Sequence, residues 1–110
     1  MNRVVHFEIQ AENPERAIKF YTDVFGWTFP KWMENPPYWA VMTADKESKE
    51  PGINCGLLPR PCPPPKPEQG TNAFVCTVQV ENFDETATKI MTAGGTVAMP
   101  KFAIPKMAWQ

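Results

Sequence analysis

Histidine is almost absent from this chain: one residue, His6, among 110. A metal centre built on imidazole could draw on that residue alone, and carboxylates would have to complete the ligand set. Cysteine is scarce and odd in number. Cys55, Cys62 and Cys76 lack the close spacing of a zinc knuckle or a redox pair, and two of them sit in apolar strand-like runs as small hydrophobes. Charge of one sign is missing too, with 11 basic against 12 acidic side chains and a formal net charge of −1. That balance gives no electrostatic drive toward nucleic acid. No apolar run approaches the ~20 residues that a membrane span needs. No basic and apolar leader pattern follows Met1, so the expected setting is a reducing cytoplasm. Nucleophile–base–acid triads, phosphate-cradling glycine loops and nucleotide fingerprints are likewise missing.

What is present is a repeat. Val4–Asn13 aligns without a gap, at an offset of 69 residues, with Ala73–Asn82, and the register holds until Gly26 meets Gly95. Gln-Ala-Glu-Asn in the first copy becomes Gln-Val-Glu-Asn in the second, while His6 has Val75 as its counterpart.

In each copy the pattern predicts a strand running into a capped helix. Val5, Phe7, Ile9 and Ala11 alternate with Val4, His6, Glu8 and Gln10, as in a strand with one buried face. Asn13 is placed to cap a helix with Pro14 at its first position, an apolar stripe from Ala17 to Phe25, and Gly26 as terminator. Further strand formers follow around Trp27–Trp32, at Tyr38–Thr43 and at Ile53–Leu58, so the first half reads β-α-β-β-β. In the second half, Ala73–Val80 reads as a strand and Asn82 with Glu85 as a capping arrangement. Gly94-Gly95 reads as the stop, Thr96–Met99 as another strand, and Met107–Trp109 as the opening of one more. Between Pro59 and Pro67, six of nine residues are proline, the composition of a stiff connector. The expected fold class is therefore α+β, with paired βαβββ modules, the second incomplete. One domain spans 1–110: a first module over 1–58, a connector over 59–72 and a partial second module over 73–110.

The string Val-Val-His-Phe-Glu-Ile, followed by Asn-Pro-Glu-Arg-Ala-Ile-Lys-Phe-Tyr-Thr-Asp-Val-Phe-Gly-Trp, resembles the opening of the vicinal oxygen chelate superfamily. That is the glyoxalase, bleomycin-resistance and extradiol-dioxygenase group. Gly52-Ile53-Asn54-Cys55-Gly56-Leu57 and the Ala93–Val97 turn resemble its later elements. The resemblance implies that the paired modules form a curved mixed sheet with the helices outside, a pocket between its two halves and, where a metal is held, one ligand from each of four strands. His6 stands at the first ligand place. Ile53–Leu58 offers no carboxylate at the second, Val75 stands at the third, and no final strand supplies the fourth.

On these grounds His6 and Glu8, two residues apart on one strand face, are the candidate acid-base pair, with His6 the one candidate metal ligand. Trp39, Val41, Asn54, Val75 and Thr77 are the candidate ligand-binding residues, with Tyr38, Ala40 and Met42 as the alternates to Trp39 and Val41 should the other face of that strand line the pocket. Three functions compete. The first is a protein that binds a small organic, hydrophobic or aromatic molecule with no cofactor. The second is a metal-dependent lyase, isomerase or dioxygenase using His6 and Glu8 with a divalent ion. The third is an interaction module pairing by an open sheet edge. A homodimer or higher homo-oligomer is expected, with no nucleic-acid or membrane partner. A purely structural His–Glu pair at a seam or pocket rim is the alternative for His6 itself.

Overall fold

The computed structural model describes residues 2–66, 76–98, 100–104 and 108–109. Strand β1 (Glu8–Ala11) leads through Asn13 into helix α1 (Pro14–Phe25). The Asn13 side chain accepts from the Arg16 amide, and Pro14 occupies the first turn, where a missing N–H costs nothing. Gly26 ends the helix with φ of 73°, a left-handed conformation that glycine adopts without a Cβ penalty. Strands β2 (Lys31–Glu34), β3 (Pro37–Val41) and β4 (Cys55–Pro59) complete the β-α-β-β-β order expected of the first half.

These four strands make one mixed sheet in the order β1-β4-β3-β2. β1 lies parallel to β4, with Ile9 opposite Leu57, and β3 lies antiparallel to β4, with Trp39 opposite Leu57 and Val41 opposite Cys55. Because side chains alternate across a sheet, this register puts Ile9, Leu57, Trp39, Cys55 and Val41 on one face. That face carries the core. Val41 and Leu57 are fully buried and Cys55 nearly so, packed by Phe7, Ile9, Ala17, Ile18, Trp27, Phe29 and Trp39. Full burial of Val41 and Leu57 contributes about 1.5–3 kcal/mol each, which makes the helix side the cohesive one. Trp27 closes it from the end of α1, stacked at 5.3 Å on Tyr21 and 5.1 Å on Phe25.

The second half departs from expectation. Helix α2 (Phe83–Thr92) forms as read, capped by Asn82 on the Glu85 amide, and it touches α1. Residues 76–80 of the expected Ala73–Val80 strand join no ladder, and residues 96–98 of the expected Thr96–Met99 strand join none. Residues 73–75 and Met99 lie outside the described residues. Ala108–Trp109 does form a strand, β6, but it pairs only with the two-residue β5 (Ala103–Ile104). The reason is partnership. Alternation makes a segment fit to be a strand, yet a ladder needs neighbours, and a two-residue pair supplies too few. Within the first half, Val4 and Val5 are also unpaired and each 77% exposed, so β1 begins at Glu8.

Candidate functional site

The face of the sheet opposite α1 holds the polar residues of β1. His6 and Glu8 lie there, their side chains 49% and 41% exposed, with His6 Nε2 at 3.6 Å from Glu8 Oε2. The two are brought together as their spacing requires. The structure adds a third member, Tyr38 of β3. Its hydroxyl donates to Glu8 Oε2 at 2.8 Å and lies 3.2 Å from His6 Nε2.

Tyr38 reaches β1 across an entire strand. β3 and β1 flank β4 and stand roughly 10 Å apart at ordinary strand spacing. The crossing is open because Gly56 of β4 lies opposite both Glu8 and Ala40, on the same face, and has no side chain. A Cβ at position 56 would fall on the Tyr38 phenol. A glycine inside a strand commonly marks such a close approach. Ala40, small and buried, leaves the floor beside it low. Trp32 extends the surface: its ring centroid is 6.3 Å from that of Tyr38, and it is 72% exposed.

The phenol is held in its neutral form. Desolvation first, then the hydrogen bond and charge of Glu8, push the Tyr38 pKa up from 10.0 to about 12. On the other face burial pushes the Cys55 thiol up from 9.0 to about 12, with smaller contributions from Cys76 and Glu8, so that thiol is no nucleophile.

The remaining expected ligand-binding residues lie elsewhere. Val41 is fully buried in the helix-side core, and Trp39 shares its face, because odd-numbered residues of β3 point away from His6 and even-numbered ones toward it. Trp39 does line an opening of about 540 Å³, with Glu12, Glu15 and Lys31 among its walls, and Lys31 Nζ lies 5.1 Å over its ring. That opening is on the far side of the sheet from His6. The Asn54 side-chain oxygen accepts from the Thr43 amide at 2.9 Å and so closes the β3–β4 connection. Thr77 is exposed in the unpaired 76–80 stretch, without a hydrogen bond to His6, Glu8 or Tyr38. Val75 lies outside the described residues.

Of the two alternating sets of β3, the one with Tyr38 and Ala40 faces the site, and Gly56 was the member that pattern reading did not assign to it. The signal was available in the glycine, which interrupts the strand-forming run Cys55–Leu58 with no turn beside it. Among the aromatics Trp27, Phe29, Trp32, Tyr38 and Trp39, the first two and Trp39 pack against the core, while Trp32 and Tyr38 lie together on the open face.

The donors that the described residues bring together at this face, His6 and Glu8, do not make up a divalent-metal set. Among the described residues no group of three or more His, Cys, Asp and Glu side chains converges, and His6 Nε2 is engaged with Tyr38. One imidazole and one carboxylate fall short of the three protein ligands usual in a catalytic zinc site.

The described helices include none long and apolar enough to cross a membrane. Neither the comparison with curated proteins nor that with solved structures gives a match. A family model, Glyoxalase/Bleomycin resistance protein/Dioxygenase superfamily, matches residues 3–105. Strand β1, the capped α1 and the four-stranded mixed sheet accord with it, and the chain belongs to that superfamily.

Proposed function

We propose that this protein binds a small organic molecule on the open face of its sheet, by hydrogen bonding and aromatic contact and without a metal ion. The observation that carries the reading is the His6–Tyr38–Glu8 constellation above Gly56, flanked by the exposed Trp32. Converging polar groups beside aromatic surface are what orient a small ligand. The chemistry offered is recognition and, at most, proton exchange through His6 and Glu8. A ligand chelated on a metal would need more donors than the described residues bring together on this face. Thermal shift against a set of small aromatic compounds tests the proposal. Stabilisation should persist in chelator and disappear in His6→Ala and Tyr38→Phe. Stabilisation that requires an added divalent ion would instead support the metal-dependent lyase, isomerase or dioxygenase reading.

One observation supports self-association as a second property. β1 stands at the end of the order β1-β4-β3-β2, so its outer backbone edge has no ladder partner among the described strands. Such edges pair readily with a second chain. Light scattering at micromolar concentration tests it: a dimer or larger species agrees, and a monomer rules the pairing out.

A further inference from the structure

The three polar groups of the open face share fewer protons than their distances first suggest, and counting them determines which nitrogen of His6 is available. A carboxylate has no proton to give. At 2.8 Å from the Tyr38 oxygen, Glu8 Oε2 must therefore receive the phenolic proton; otherwise two lone pairs would oppose each other at hydrogen-bond distance. With its only proton committed to Glu8, the Tyr38 oxygen can meet His6 Nε2 at 3.2 Å only as an acceptor. Nε2 must then carry hydrogen. The 3.6 Å separation of Nε2 from the same Glu8 oxygen acts in the same direction, since a bare Nε2 lone pair would face negative charge. The phenol retains the proton on which this rests, its pKa standing at about 12.

We infer that Tyr38 is the positioning residue of the site: carried over Gly56 and committed to Glu8, it holds neutral His6 as the Nε2–H tautomer and leaves Nδ1 as the histidine's one acceptor. Tyr38 need touch no ligand to do this. Its role is to set what a ligand meets, which is an imidazole lone pair calling for a molecule with an O–H or N–H donor. A metal ligand at His6 through Nε2 would have to displace this contact. Removal of Gly56's open space, by any side chain, would release the ring and with it the tautomer.

The inference concerns the free protein, so its test is independent of whether any ligand binds. Because the chain has a single histidine, long-range proton–nitrogen correlation of the imidazole gives one set of ring signals. At alkaline pH the wild type should show a pyrrole-type Nε2 and a pyridine-type Nδ1. Glu8→Ala should shift the ratio several-fold toward the Nδ1–H tautomer, because the freed Tyr38 hydroxyl can now donate to Nε2. Tyr38→Phe in that background should cancel the change. A passive role for Tyr38 would leave the Glu8→Ala ratio equal to that of the double variant, and this result overturns the inference. A wild-type spectrum dominated by Nδ1–H would overturn it as well. Glu8 and Tyr38 are outside the core, and the amide spectrum of each variant confirms that it folds.

Discussion

Gly56→Ala should disconnect the site while leaving the sheet intact. The new methyl would overlap the far end of a tyrosine side chain and no backbone atom, so the ring can swing clear without moving β4. What is lost is then the set of Tyr38 contacts. A solvent-accessible hydrogen bond to a carboxylate is worth about 0.5–1.5 kcal/mol, and the weaker contact with His6 adds to it. Against this, alanine in a strand interior is favoured over glycine by roughly 0.5–1 kcal/mol. The two terms separate in a double-mutant cycle with Tyr38→Ala. In the wild-type background Gly56→Ala should destabilise by about 1 kcal/mol; in the Tyr38→Ala background it should be neutral or stabilising, a coupling of about 1–2 kcal/mol. Urea unfolding followed by far-UV circular dichroism reads this as a change in midpoint at constant m-value. An equal effect of Gly56→Ala in both backgrounds would refute the assignment of Gly56 as the passage for Tyr38.

Two further outcomes follow from burial. Of the three free thiols, exposed Cys62 and Cys76 should react promptly with a thiol reagent at mildly alkaline pH, while Cys55, 4% exposed, should react only after denaturant is added. Mass spectrometry of labelled peptides checks the order. Stability should also fall as pH climbs through the alkaline range. Tyr38, Cys55 and Tyr21 all have folded values raised above their ordinary ones, burial being the largest cause for each. Their neutral forms are thus favoured in the fold, and the contribution is present in full below pH 9 and is lost as pH approaches 12. Tyr38→Phe should remove part of that slope, measurable as urea midpoint against pH.

The first half of the molecule was legible because local signals and tertiary partners agree there. Asn13, Pro14 and Gly26 mark the helix ends, and the alternation of Phe7, Ile9 and Ala11 matches a real neighbour in β4. In the second half the helix was legible from Asn82 and Gly94 for the same local reasons. Cys76–Val80 carries strand alternation too, but a strand is a property of a pair, and its partner is not written in its own residues. At the site, the i,i+2 spacing of His6 and Glu8 was enough to set them on one face. The parity of β3 was not fixed by composition, since Tyr38, Trp39, Ala40, Val41 and Met42 are apolar or aromatic on both faces. Only the register with Cys55 and Leu57 shows that Trp39 and Val41 turn inward and Tyr38 outward.

The central claim is that the open face around His6 binds small donor-bearing molecules without metal. Amide and ring chemical-shift mapping in chelator, against aromatic compounds with an O–H or N–H group, tests it most directly. The account predicts perturbations centred on His6, Glu8, Trp32 and Tyr38 that vanish in His6→Ala. Perturbations confined to the opening around Trp39 and Glu12, or appearing only after a divalent ion is supplied, would contradict it.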